Sequence, residues 1–166
     1  MIRKQLLQST SPPWLHIVVK DSSDEENLAA SLREDEDNWV VAILRGADMT
    51  TFAGLFDEFA GVLRFPAYFG RNFNALYDCL TDLAWFPAKG YTLLFNEVAL
   101  ILSHETSADF VAFLKLLQRA CEKWNHAEQT GEPWDRPAIA FHAVFQTSPD
   151  EAARLRLTLQ EADVVG

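Results

Sequence analysis

Short apolar runs alternate along this chain with longer stretches in which apolar residues recur every three or four positions, so strands separated by helices are predicted. Leu15-His16-Ile17-Val18-Val19 is a β-branched run and reads as a strand. The strongly acidic stretch 21–37 follows, where Ser22 or Ser23 is placed to cap a weak helix through Leu28 and Leu32. Trp39 to Leu44 is apolar without alternation, as expected of a strand covered on both faces. Gly46 and Asp48 break it, and Thr50 or Thr51 can cap the next helix, whose stripe is Phe52, Leu55, Phe56, Phe59 and Leu63, stopping before Pro66. A further helix is predicted from near Asn72 to about Leu83, then a strand at Tyr91–Phe95. Thr106 with Asp109 three residues on is a capping box. The helix it opens carries Phe110, Phe113, Leu114, Leu117, Cys121 and Trp124 on one stripe. Residues 125–137, with Gly131, Pro133 and Pro137, read as a loop, and Ile139 to Phe145 as a strand. Ser148-Pro149-Asp150-Glu151 is a strong helix start, and the helix runs on through Leu155 and Leu159.

Strands alternating with helices predict an α/β layer structure on a small, mostly parallel sheet. The strand at Leu15–Val19 is positioned to extend that sheet at one edge, with the acidic segment as its shield. The two ends could alternatively form a second contact surface or a dimer, and the pattern leaves the oligomeric state open.

Composition narrows the function. The chain has 166 residues, 49% of them hydrophobic, with 12 Phe and 5 Trp, enough to build a core without disulfide or metal staples. Acids outnumber bases 24 to 14, for a formal charge of −10. Such a surface repels phosphate backbones, which argues against direct nucleic-acid binding, and draws a basic partner. On charge alone, plain solubility explains the acidity equally well. Gln5, Gln8, Ser9, Thr10 and Ser11 interrupt any secretory apolar stretch, and no run is long enough to span a bilayer, so a cytoplasmic protein is expected. Cys79 and Cys121 sit in helical patterns beside apolar residues and read as buried, reduced thiols.

Catalytic patterns are scarce. No glycine-rich phosphate loop and no Gly-x-Ser-x-Gly element occurs. His16, His104, His126 and His142 are far apart without metal-ligand spacing, so neither a metal nor a cofactor is expected. His16 and His142 fall within predicted strands, where a hydrogen-bonded structural role is the commoner one. His126 falls in the loop and reads as solvated.

The stretch from Phe65 to Asp82 carries the most information. On a helical wheel Phe73, Leu76, Leu80 and Leu83 gather on a core side, with Cys79 at its edge. Asn74, Asp78 and Thr81 gather on the opposite, exposed side, with Tyr77 and Asp82 at its margins. The helix is entered through Tyr68-Phe69-Gly70, where the glycine could hold a tight turn. Such a face suits protein recognition, because aromatic rings offer rigid contact area and carboxylates accept from Arg or Lys. An ordinary solvated helix face with one half-buried tyrosine is the simpler alternative.

This same order, Phe65-Pro66-Ala67-Tyr68-Phe69-Gly70-Arg71-Asn72-Phe73-Asn74-Ala75-Leu76-Tyr77-Asp78-Cys79-Leu80-Thr81, resembles the signature of the barstar family of intracellular ribonuclease inhibitors. The likeness runs without gaps to about Pro87 and loosely from Trp39 to Phe145, leaving 1–38 and 148–166 as added elements joined to a core domain at 39–147. The resemblance implies a parallel sheet with packed helices and a helix that enters the ribonuclease active site. It also implies an aspartate, here Asp78, in the place of a substrate phosphate, with Tyr77 beside it and Tyr68 on the preceding loop. The partner-binding set so implied is Tyr68, Gly70, Asn74, Tyr77, Asp78, Thr81 and Asp82. The chain departs from the family at Asn74, where an acid is expected, at Asp82 in place of glycine, and at Leu83 in place of tryptophan. The later helix lacks a secure acid: Arg119 falls near its position, and Glu122 is the nearest carboxylate.

The leading expectation is therefore an inhibitor or toxin-immunity protein bound to a basic ribonuclease or nuclease toxin. A barstar-like interaction module with another partner, regulatory or structural, is the second. An enzyme ranks well below both.

Overall fold

The computed structural model describes residues 4–20, 29–31 and 38–164. Four strands, β1 (Leu15–Val19), β2 (Trp39–Arg45), β3 (Gly90–Asn96) and β4 (Ala140–Thr147), form one sheet in the order β1-β4-β3-β2. Every neighbouring pair is parallel, which makes the expected mostly parallel sheet wholly parallel among the described residues. The order puts β3 and β4 in the middle, and all eight residues of β4 are buried. β2 is an edge strand, so Trp39, Val40 and Ile43 are only partly covered, short of the burial on both faces that its apolar run suggested. β1 takes the other edge, as expected, through pairing with β4.

Alternate residues of each strand feed two apolar layers. Leu44, Leu93, Phe95, Phe141 and Phe145 point into the larger one, shared with the helices α2 (Phe52–Val62), α3 (Phe73–Asp82), α4 (Ser107–Asn125) and α5 (Pro149–Glu161). Val41, Leu94 and Val144 point the other way, and are met by Leu7 of the short helix α1 (Lys4–Leu7) and by Ala29. No apolar period signals α1, whose four residues lie in a mainly polar stretch. Of the acidic helix expected over 21–37, residues 29–31 are helical; the remainder, including Ser22, Ser23, Leu28 and Leu32, lies outside the described residues.

Local chemistry places the helix ends. Thr51, Asn72, Thr106 and Ser148 each accept a backbone N–H at the N-cap, and the last two complete capping boxes with Asp109 and Glu151. Asn125 belongs to the last turn of α4 and not to the loop that was expected to start there. It is buried, and its side-chain amide donates to the Cys121 and Phe141 carbonyls at 2.8 Å each, fastening helix to strand. Five of the six residues of the predicted α4 stripe are buried, and Phe110 is half-buried at its solvent end.

Candidate functional site

The loop between α2 and α3 is held at both ends. Phe65 and Phe69 meet edge to face at 4.9 Å between ring centres, and each also contacts a further ring, Trp85 or Phe56, at 6.0 Å. The Phe69 N–H closes a turn on the Pro66 carbonyl at 3.0 Å. With these two rings turned inward, Tyr68 between them is left 73% exposed. At the far end the Arg71 guanidinium donates to the Asp57 carboxylate of α2 and holds that carboxyl below its ordinary range.

Gly70 does not itself supply the left-handed backbone of this turn. The left-handed residue of this turn is Arg71, at φ 52°, whereas Gly70 has no positive φ. A Cβ at Gly70 would lie 3.3 Å from the Ala75 Cβ, so what the glycine supplies is clearance beneath the start of α3. Asn72 then caps that helix, accepting the Ala75 N–H at 2.8 Å.

Along α3, Leu76, Leu80 and Leu83 are buried, and Phe73 packs edge to face against Phe52 and Phe56. On the outer side Asn74, Asp78 and Asp82 are all exposed. Four-residue spacing stacks them in one stripe: an amide and two carboxylates. Thr81 departs from the expected arrangement. It is buried, and its hydroxyl donates to the Tyr77 carbonyl at 2.8 Å. Thr81 therefore braces the helix and presents nothing outward. Tyr77 is half-buried at the margin between α3 and α4, and the Arg119 guanidinium of α4 lies 4.5 Å from its ring centre. Because Tyr77 and Arg119 are 42 residues apart in sequence, no local spacing announces this contact, nor does any announce the Arg71–Asp57 pair.

The two cysteines and the His16–His142 pair are structural in placement. Burial pushes both cysteine thiols up, and the neighbouring Asp78 and Asp82 charges add to the shift at Cys79, so neither is poised as a thiolate. His16 and His142 hydrogen-bond each other, and exposed His126 bonds the Glu122 carbonyl. Among the described residues no group of three or more His, Cys, Asp or Glu could hold a metal ion, and no helix is long and apolar enough to cross a membrane.

The sequence profile of the family described as Barstar (barnase inhibitor) matches residues 39–146, more than half of the chain. The chain belongs to the barstar family. The match takes in the path from β2 through the Tyr68 loop, α3 and α4 to Gln146 in β4, and leaves β1 and α5 outside it. The edge strand β1 thus lies outside the matched span, with α5 packed near it. A protein of Bacillus subtilis (strain 168), named "Putative ribonuclease inhibitor YrdF", is 46% identical over 45 residues, which are 27% of this chain and 50% of that one. The chain thus matches about half the length of this curated relative. Among solved structures, that of Cdc6p from Pyrobaculum aerophilum superposes with a TM-score of 0.51 at 16% identity, over 84% of this chain and 34% of the other. At that identity the likeness is one of fold alone.

Proposed function

We propose that this chain binds a basic ribonuclease and blocks its active site with the outer face of α3. The observation that carries the reading is the stripe Asn74, Asp78, Asp82, solvent-exposed on a capped helix and entered through the projecting Tyr68. A ribonuclease cleft is a concave cluster of cationic donors built to hold phosphate. A carboxylate delivered on a rigid helix offers those donors two acceptor oxygens in the same place. Membership of the barstar family and the ribonuclease-inhibitor name of the Bacillus relative support the same reading. Asp78 is assigned the phosphate position, Tyr68 and Tyr77 the flanking contact area, and Asn74 and Asp82 the outer polar contacts. Exposed Gly70 acts by giving clearance to the start of α3, and buried Thr81 by bracing the helix. Neither needs to touch the partner.

The formal charge of −10 supports electrostatic steering toward such a partner. The test is inhibition of RNA hydrolysis by a panel of basic ribonucleases, barnase among them, at low and high salt. Stoichiometric inhibition with an association rate that falls as salt rises is expected. If RNA hydrolysis continues undiminished across the panel, the reading fails.

A second reading, a barstar frame turned to a non-nuclease partner in a regulatory or structural role, draws on Asn74 and Arg119 standing where the family's acids are expected. The same panel separates the two.

A further inference from the structure

Arg119 is the feature of this surface that an all-basic target does not explain. Arg45 is answered by Asp48 and Glu58, Arg71 by Asp57 and Arg136 by Glu128, whereas Arg64, Arg154 and Arg156, like Arg119, make no ion pair among the described residues. Arg119 is exposed and, among the described residues, has no carboxylate within ion-pair distance. It is held by a ring, with its guanidinium 4.5 Å from the centre of Tyr77, the residue adjoining Asp78. Stacking fixes the plane of the guanidinium and leaves its edge donors free to grip a carboxylate in two-point fashion. Lys115 lies one turn earlier on the same exposed side of α4 and adds a second positive charge, while Glu122 lies one turn later. The acidic stripe of α3 is therefore bordered by a cationic one.

We propose that Arg119, steadied on Tyr77, is a specificity-determining residue that selects a ribonuclease carrying a carboxylate on the rim of its basic cleft. The inference rests on α3 being the inhibitory face. Discrimination arises from both signs of the interaction. A rim carboxylate gains a charge-assisted pair with Arg119, and a rim arginine or lysine is repelled by it. Toward a nuclease with a cationic rim, then, the chain carries its own obstacle beside Asp78.

Barnase carrying a lysine engineered onto the rim of its active-site cleft serves as the probe, with inhibition measured for the parent, Arg119→Ala, Arg119→Glu, and each of these combined with Asp78→Ala. Because Arg119 is exposed, all variants are expected to keep the parent's near-ultraviolet dichroism. Removing the repulsion should tighten inhibition roughly tenfold in Arg119→Ala and more in Arg119→Glu, as expected of unit charges several ångströms apart at a protein surface. The gain should shrink at high salt. A merely structural stack predicts the opposite sign, because losing it frees Tyr77 and weakens both variants. Inhibition unchanged or weakened in the Arg119 variants, with Asp78→Ala still harmful, overturns the specificity role and leaves the inhibitory face standing. If Asp78→Ala has no effect in any background, the inhibitory face is wrong and the inference goes with it. No inhibition by any variant overturns both.

Discussion

His16 and His142 meet across the β1–β4 ladder, with Nε2 of the first 2.9 Å from Nδ1 of the second. Nε2 of His142 also lies 2.7 Å from the Ser9 carbonyl, which can only accept. His142 therefore carries its proton on Nε2, and His16 donates to the bare Nδ1. Both rings are neutral. Burial first, and the repulsion that a protonated His142 would exert second, lower the His16 pKa from 6.5 to about 4, and burial lowers His142 as well.

The sign of the pH effect follows. Between pH 6.5 and 4 the unfolded chain binds a proton at position 16 that the folded chain refuses, so stability falls as pH is lowered through that window. A fully buried group would lose about 3 kcal/mol; partial exposure of His16 reduces this to about 1–2 kcal/mol. Urea unfolding at pH 7.5 and 4.5 should show that loss, and His16→Gln should remove most of it. Asp57, Asp109, Asp135 and Glu151 have lowered pKa values, so their stabilisation persists through this window and disappears only at more acid pH.

Two glycines should respond oppositely to alanine. At Gly46 a Cβ would lie 2.1 Å from the Glu97 carbonyl oxygen and 2.8 Å from that of Asn96. Both are backbone atoms, so Gly46→Ala should cost about 2–4 kcal/mol. At Gly61, inside α2, a Cβ meets nothing within 4 Å, and Gly61→Ala should stabilise by about 0.5–1 kcal/mol. Thermal unfolding of the two variants checks the pair.

Tyr68 and Phe69 should separate binding from folding. Tyr68→Ala removes a ring that is 73% exposed and should shift stability by less than about 0.5 kcal/mol while weakening nuclease inhibition at least tenfold. Phe69→Ala breaks the contacts with Phe56 and Phe65 and should cost about 2–3 kcal/mol of stability. Denaturant titration beside an inhibition assay reads both effects.

Much of this architecture was legible because its signals are local. The Thr106–Asp109 and Ser148–Glu151 boxes, the alternating run of apolar strands and the α3 core side all follow from residues within one or two turns of each other. What escaped depends on distant partners. An apolar run does not say whether its strand is central or at an edge, so β2 was read as more enclosed than it is. Wheel geometry put Thr81 on the outer side, but it is buried and its hydroxyl turns to the Tyr77 carbonyl. A glycine in a turn suggested positive φ, yet Arg71 adopts it, held by Asp57 of α2. The stack of Arg119 on Tyr77 likewise required the α3–α4 packing.

All of the functional account turns on whether the exposed carboxylate midway along α3 stands in for an RNA phosphate. The direct measurement is the inhibition constant of Asp78→Ala against a ribonuclease that the parent inhibits, with unchanged unfolding of the variant as control. Leaving a partner's cationic cluster unanswered in a closed interface should weaken inhibition by about 3 kcal/mol, or roughly a hundredfold. An inhibition constant equal to the parent's would contradict the account.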